Sequence, residues 1–363
     1  MVETLEPDIE AQRDALADRL FTSANATFDL AAVYLGDRLG LFRALADGGP
    51  ATSAGLAGRT GLDERYVREW LEQQAVSGIL EADGSEDADA RRYTLPAGHR
   101  EVLVDELSLA HMTPFVRAIV GSMRMLPAIM AAFTDGGGVA WADYGDDLRE
   151  GQAAGNRPQF HHLMADWLSQ IPDVHARLSA PGARIADVAC GEGWSTIAIA
   201  RAYPNARVDG IDLDEPAIEQ ARRNAAETEV ADRVAFHAGD AADPALEGAF
   251  DLVTVFEAVH DMSQPVAVLG AARRLLAPGG TLIVMDERVA EQFTAPGDDV
   301  ERFMYGFSVL VCLPNSLAET PSVGTGTAMR PDTLRGYARD AGFGGVAILP
   351  IEHPSFRFYR LDP

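Results

Sequence analysis

The chain has 363 residues, enough for two domains, and its 47% hydrophobic content allows a sizeable core. Its formal net charge of −25 sets it against nucleic acid and anionic membrane, both of which a strongly negative field repels. All 30 basic residues are Arg, and the absence of Lys excludes a phosphate-loop lysine, a pyridoxal Schiff base and a lysine general base.

The opening MVETLEPDIEAQRDALADRL is acidic and lacks the basic-then-apolar order of a signal peptide. No 18-residue uncharged apolar run occurs, so no transmembrane helix is expected and a cytoplasmic location is. Residues 1–25 read as a polar lead-in helix, and 26–46 carry apolar residues at helical spacing around Gly36. The stretch from Thr52 to Asp83 reads as helix, turn, helix and strand. Thr52 or Ser53 caps the first helix, Thr60-Gly61-Leu62 makes the turn, and Asp63 caps the second helix. A polar tip, SEDADARR, and YTLP complete a two-stranded wing. This order matches a winged helix. Within residues 52–77, Arg59, Arg65 and Arg68 oppose Asp63, Glu64, Glu69 and Glu72, a net −1 that suits dimerisation or substrate covering better than DNA.

Residues 101–176 read as mainly helical, with a Met-rich stretch suited to helix interfaces and core. From 183 onward strands and helices alternate. RIADVA, RVDGIDL, RVAFHAG, FDLVTVF and GTLIVMDE are the strands, and two more candidates, GVAILPI and SFRFYRL, follow helix PDTLRGYARDAGF. The pattern predicts an α/β, Rossmann-like doubly wound parallel sheet, with ligands beyond the strand carboxyl ends. Cys190 and Cys312 make neither a zinc pattern nor a disulfide framework, and both are expected reduced, with no metal.

The turn DVACGEGW, residues 187–194, brings Gly191 and Gly193 to a helix start, where backbone can approach a ligand closely. Asp212 ends the next strand, nineteen residues after Gly193, where a carboxylate reaches ribose hydroxyls. A dinucleotide would want a third glycine and no acid beside its pyrophosphate. Here Trp194, Ser195 and Thr196 follow, and Asp187 and Glu192 add negative charge. S-adenosylmethionine, with an amino acid end and a cationic sulfonium, fits better.

With these motifs in hand, residues 183–287 resemble a class I S-adenosylmethionine-dependent methyltransferase. The family's D-x-G-x-G-x-G stands here as Asp187-Val-Ala189-Cys-Gly191-Glu-Gly193, with Ala189 replacing the first glycine. The resemblance implies cofactor contacts from Asp187, Ala189, Gly191 and Gly193, from Asp212 and Leu213, and from Asp240 and Ala241. It adds Phe256 at the fourth strand and Met164 on the preceding helix, and APGG, residues 277–280, as the turn before the fifth strand. Over about residues 26–363 the chain is similar to small-molecule O-methyltransferases with an N-terminal winged helix. It is closer to a bacterial subgroup, with mycobacterial members, that shares RYVREWLEQQAVSGILE and YGFSVLVCLPNSL. That likeness implies a winged-helix dimerisation domain over 1–100, a helical linker and active-site cover over 101–176, a catalytic domain over 177–363, and a homodimer.

In those relatives a His-Asp pair follows the fourth strand and the His is the base. The matching residues are His260 and Asp261, with Asp286 in place to orient the imidazole. A second role stands open for His260, packing a loop before Pro265, because Met262 replaces the family's Trp. Phe160 and Tyr305, the latter within the uncharged RFMYGFSVLVCLPNSL, are the candidate substrate contacts. The expected acceptor is a small, largely apolar molecule with a hydroxyl group. N- or C-methylation, a non-methylating descendant of the fold and a cofactor-sensing winged-helix regulator are the rival readings.

Overall fold

The computed structural model describes residues 9–241 and 249–363, which divide into two compact units, one up to Val120 and one from Gly121. The helical stretch expected over 101–176 is therefore shared between the units.

The first unit opens on α1 (Ile9–Arg38), one helix where a lead-in and a second segment were expected. It is followed by α2 (Leu41–Gly48), α3 (Ser53–Thr60) and α4 (Glu64–Val76). A Cβ on Gly36 would fall 2.5 Å from ring atoms of Phe42 and Trp70, so glycine is what lets α1 close onto those rings. The two rings pack edge-on at 5.1 Å, and the indole N–H donates to the Ala32 carbonyl at 2.8 Å. Thr52 Oγ1 accepts from the Gly55 N–H, Gly61 ends α3 in the left-handed region, and Asp63 accepts from the N–H groups of Arg65 and Tyr66. The wing is short: β1 (Glu81–Ala82) pairs antiparallel with β2 (Tyr93–Thr94), and α5 (Ala97–Leu103) follows. Arg68 pairs with Glu64 and Asp89, Arg65 with Glu69, and Arg59 donates to the Gly49 carbonyl. The three arginines of the segment that would read a groove are thus taken up within the unit.

Next come α6 (Thr113–Met123), α7 (Leu126–Asp135), α8 (Asp146–Ser169) and α9 (Pro172–Leu178). The sheet then begins. In chain order it is β3 (Arg184–Val188), α10 (Trp194–Ala202), β4 (Arg207–Asp212), α11 (Glu215–Ala226) and β5 (Val234–Ala238). It continues through β6 (Phe250–Phe256), α12 (Pro265–Leu275) and β7 (Leu276–Glu287). The chain finishes with α13 (Asp299–Phe307), α14 (Leu313–Leu317), α15 (Pro331–Asp340), β8 (Gly345–Ile348) and β9 (Phe356–Asp362). Among the described residues no single helix is long and apolar enough to cross a membrane.

The strand order is β5-β4-β3-β6-β7-β9-β8. The central strands are parallel and nearly all buried, as apolar runs covered by helices on both faces must be. The sheet is not wholly parallel, however. β9 enters between β7 and β8 antiparallel to both, because the short link from β8 leaves no room for a crossover helix. Residues 277–280 are not a turn ahead of the fifth strand. Phe250 pairs with Leu276 and Leu252 with Thr281, so APGG is an irregularity inside β7. The order reverses between β3 and β6, and the carboxyl ends there define the crevice in which such sheets hold ligands.

Candidate functional site

The loop after β3 is shaped by three residues in the left-handed region: Ala189 (φ 58°), Gly191 (φ 51°) and Gly193 (φ 81°). At Gly193 glycine is required twice over, since a Cβ would lie 2.6 Å from the Phe236 ring and 2.9 Å from the Ala221 methyl. Ala189 adopts the glycine-like conformation at an energetic cost. Asp212, at the end of β4, accepts from the Gly191 N–H at 2.8 Å and from the Asp214 N–H at 2.9 Å. Burial pushes its carboxyl up, while these two N–H donors pull it back. Leu213 beside it is 75% exposed. The Gly239 N–H donates to the Asp212 carbonyl at 2.9 Å, which brings Asp240 and the buried Ala241 to the same edge of the crevice.

Asp187 also has a structural part in the loop. Its buried carboxylate accepts hydrogen bonds from Ser195 Oγ (2.6 Å), Thr196 Oγ1 (2.7 Å) and Thr254 Oγ1 (2.7 Å). It ties β3 to the first turn of α10 and to β6, and so sets the loop's course. Met164 lies inside the main core cluster. Phe160 packs in that cluster too, stacked on Phe256 at 5.9 Å.

At the end of β6 a short 3-10 turn, Val259–Asp261, carries His260. Its Nδ1 lies 2.8 Å from Asp286 Oδ1 at the end of β7, and both side chains are buried. On the other side of the ring Nε2 lies 3.6 Å from Asp261 Oδ1, too long for a hydrogen bond. Burial alone would lower the imidazole's pKa. The carboxylates of Asp286 and Asp261 outweigh it and hold His260 well above the usual histidine range.

Cys312 is a member of this group that the sequence reading left as a reduced thiol. It ends a π-helical turn, Ser308–Cys312, of a kind that recurs at functional sites. Tyr144 OH donates to the Leu310 carbonyl in that turn at 2.7 Å. The Cys312 sulfur, Asp261 and a ring nitrogen of His260 lie within 4.8 Å of one another, close enough for an ion. Burial pushes the thiol up to about 12, so it keeps its proton and hydrogen bonds within the trio. Tyr305, from the same apolar segment, belongs to another cluster: its hydroxyl accepts from Arg330, which also pairs with Glu301 at 2.8 Å.

Glu257 is the second residue that sequence reasoning missed. It sits at φ 50°, a strained value for a non-glycine residue, held by its N–H to the Met285 carbonyl at 2.7 Å. Its carboxylate accepts from Gln152 at 3.2 Å and from Asn156, both on α8. The available signal was the run of amides at 152, 156 and 159, one face of a helix otherwise bound for the core.

With that geometry in place, residues 179–312 match a family model described as a methyltransferase domain, and residues 29–105 match one described as an Rv2258c-like winged HTH domain. The chain is similar over 95% of its length to human N-acetylserotonin methyltransferase in complex with SAM (TM-score 0.72, 16% identity, 97% of that chain). It is similar over 98% of its length to the mitomycin 7-O-methyltransferase MmcR (TM-score 0.69, 19% identity, 100% of that chain). The second unit has the class I methyltransferase fold. Among curated relatives, a ubiquinone biosynthesis O-methyltransferase of Xanthomonas campestris is 39% identical over 113 residues, 31% of this chain and 46% of its own length. The 27-O-demethylrifamycin SV methyltransferase of Amycolatopsis mediterranei is 37% identical over 106 residues, 29% of this chain and 39% of its own length. The chain therefore spans less than half the length of these curated relatives.

Proposed function

We propose that the chain is an S-adenosylmethionine-dependent O-methyltransferase acting on a small, largely apolar molecule through a hydroxyl group. The observation that carries this reading is the His260–Asp286 pair at 2.8 Å, placed at the strand ends beside the glycine loop and Asp212. The residues present suit that cofactor. Asp212 offers carboxylate oxygens to ribose hydroxyls, the left-handed turns at Gly191 and Gly193 open the backbone, and the loop carries acid where a phosphate would require base. Asp187 holds that loop in place, while Leu213, Asp240, Ala241 and Phe256 edge the same crevice.

When bound, the cofactor supplies an electrophilic methyl group on a sulfonium. The protein's own part is proton handling and placement. Asp286 accepts a hydrogen bond from His260 Nδ1–H, which leaves Nε2 as the atom that takes the hydroxyl proton of the acceptor. Asp286 and Asp261 then stabilise the imidazolium. Phe256 and Phe160 provide an apolar wall.

A setting in secondary metabolism, in the cytoplasm, belongs to the same reading, and the relative named for 27-O-demethylrifamycin SV supports the metabolic part of it. A homodimer through the winged-helix unit accords with the exposed Leu16, Leu20, Phe21 and Phe28 on α1 and with the exposed Tyr66 and Val76 on α4. The paired arginines of that unit disfavour DNA as a ligand.

The test is incubation with S-adenosylmethionine and a panel of hydroxylated aromatics. Release of S-adenosylhomocysteine and a product heavier by one methylene are expected. Cofactor binding by calorimetry without any S-adenosylhomocysteine release would instead favour a non-methylating descendant of the fold.

A further inference from the structure

The region around His260 holds hydrogen-bond acceptors that nothing satisfies. Among the described residues, Glu257 Oε1, Asp261 Oδ1, Asp286 Oδ2, Glu287 Oε2 and Gln159 Oε1 are buried and without a partner. Leaving a buried polar atom unsatisfied is costly, so a group of them in one place asks for a ligand. All five are oxygens that accept when the carboxyl groups are ionised, and a ligand that brings donors and positive charge satisfies that form.

Charge narrows the choice. Asp286 and Asp261 flank the imidazole, Glu257 and Glu287 stand at the ends of the same two paired strands, and His260 is the cation that acts on Glu257, Asp261 and Glu287. Glu287 is only 7% exposed, so its unpartnered oxygen does not belong to a solvated acidic face. Burial and then the Glu257 carboxylate raise its carboxyl well above the usual range, and burial brings Glu257 to about 7. Both acids thus gain from a neighbouring positive charge. Gln159 adds a neutral acceptor from α8, on the face of Gln152 and Asn156, which hold Glu257.

A bare metal ion fits less well. Among the described residues the side chains close enough to share one ion are His260, Asp261 and Cys312, and neither Glu257 nor Glu287 is among them. An organic cation, larger and with several N–H donors, reaches acids spread over two strand ends. The stacked Phe256 and Phe160 beside Glu257 suit the apolar body that would carry it.

We propose that the methyl acceptor carries a protonated amine on an apolar body, and that Glu257 and Glu287, with Gln159, receive that amine while the hydroxyl faces His260. The assignment rests on the methyl-transfer reading of the same site and names its substrate class.

The test uses the full-length chain saturated with S-adenosylhomocysteine and three matched phenols: tyramine (amine), tyrosol (alcohol) and 3-(4-hydroxyphenyl)propionate (carboxylate). Calorimetry is expected to rank tyramine about tenfold or more above tyrosol, as charge-assisted bonds require, with the carboxylate weakest. Glu257→Gln and Glu287→Gln, which keep shape and remove charge, are expected to erase most of tyramine's advantage and to leave tyrosol and S-adenosylhomocysteine binding unchanged. Tyramine binding no tighter than tyrosol, or not at all at millimolar concentration, overturns the proposal, and wild-type protein alone suffices for that ranking. So does a loss of S-adenosylhomocysteine affinity in the two variants with the amine preference intact, which would hand the carboxylates to the cofactor's own ammonium. Binding of Mg²⁺ or Zn²⁺ that displaces tyramine and vanishes in Glu257→Gln would replace the amine by a metal. If S-adenosylhomocysteine itself fails to bind, the methyl-transfer reading falls separately, and the ranking is taken on the ligand-free chain.

Discussion

His260 donates from Nδ1 to Asp286 across 2.8 Å, and the pair closes the gap between the carboxyl ends of β6 and β7. The bond fixes which nitrogen is free. Nε2 lies on the side of Asp261, and it is the atom left to exchange a proton with a ligand. If that exchange drives the reaction, His260→Ala should lower turnover on a hydroxyl acceptor by ~10²–10⁴ and leave S-adenosylhomocysteine affinity intact. Wild-type turnover in this variant would assign His260 to loop packing instead.

The same pair predicts a pH profile. Burial lowers the His260 pKa, but Asp286 and Asp261 outweigh it and raise it well above the usual histidine range, so the neutral ring that accepts a proton is favoured as pH rises. kcat/KM is therefore expected to rise with pH beyond neutrality. Asp286→Asn removes the strongest charge holding that proton and should move the rise to lower pH. Stability runs the other way: a raised imidazole pKa contributes below the unfolded value and is lost as pH climbs through the folded one. The raised carboxyls of Glu257, Asp261 and Glu287 and the raised thiol of Cys312 act in the same direction, since each is more protonated when folded. Thermal melts that gain stability between neutral and alkaline pH would contradict this assignment.

Much of this arrangement was legible beforehand because strand ends are legible. An apolar run such as FDLVTVF must be buried on both faces, and the first polar residues after it emerge at the crevice, where His260 and Asp286 stand. Side-chain direction was not legible in the same way. Asp187 reads as a loop acid, yet its carboxylate turns inward to three hydroxyls from α10 and β6. Cys312 lies 52 residues beyond His260, and only the π-helical turn brings it back. Glu257 sits three residues before His260, but its direction depends on a left-handed backbone angle that nothing in FEAVH announces. The antiparallel entry of β9 escaped for a related reason: pairing order between distant strands depends on register and not on local periodicity.

Asp212 carries the prediction for the cofactor side. Its carboxylate already receives two backbone N–H groups, which fix it at the end of β4 with further acceptor capacity on both oxygens. Asp212→Ala should weaken S-adenosylhomocysteine binding by ~1.5–3 kcal/mol, the worth of a hydrogen bond to a charged group. Because the variant also releases the Gly191 N–H, its melting temperature should be measured alongside. Unchanged affinity by calorimetry would remove Asp212 from the site.

Ala189 and Gly193 give a paired prediction of opposite sign. Ala189 holds φ 58° with a Cβ, a conformation that costs an L-residue roughly 1–2 kcal/mol. Replacing it by glycine relieves that strain but frees the unfolded chain by about 0.4–1 kcal/mol. Relief of the strain outweighs the added chain freedom, so Ala189→Gly should stabilise the protein by about 0.5–1 kcal/mol in urea unfolding. Gly193→Ala meets both costs at once, a φ of 81° and a Cβ 2.6 Å from the rigid Phe236 ring. It should destabilise by about 3 kcal/mol or more and weaken cofactor binding, since the loop must move to make room. A Gly193→Ala variant with unaltered stability would mean that the loop does not hold the conformation on which the whole cofactor site depends.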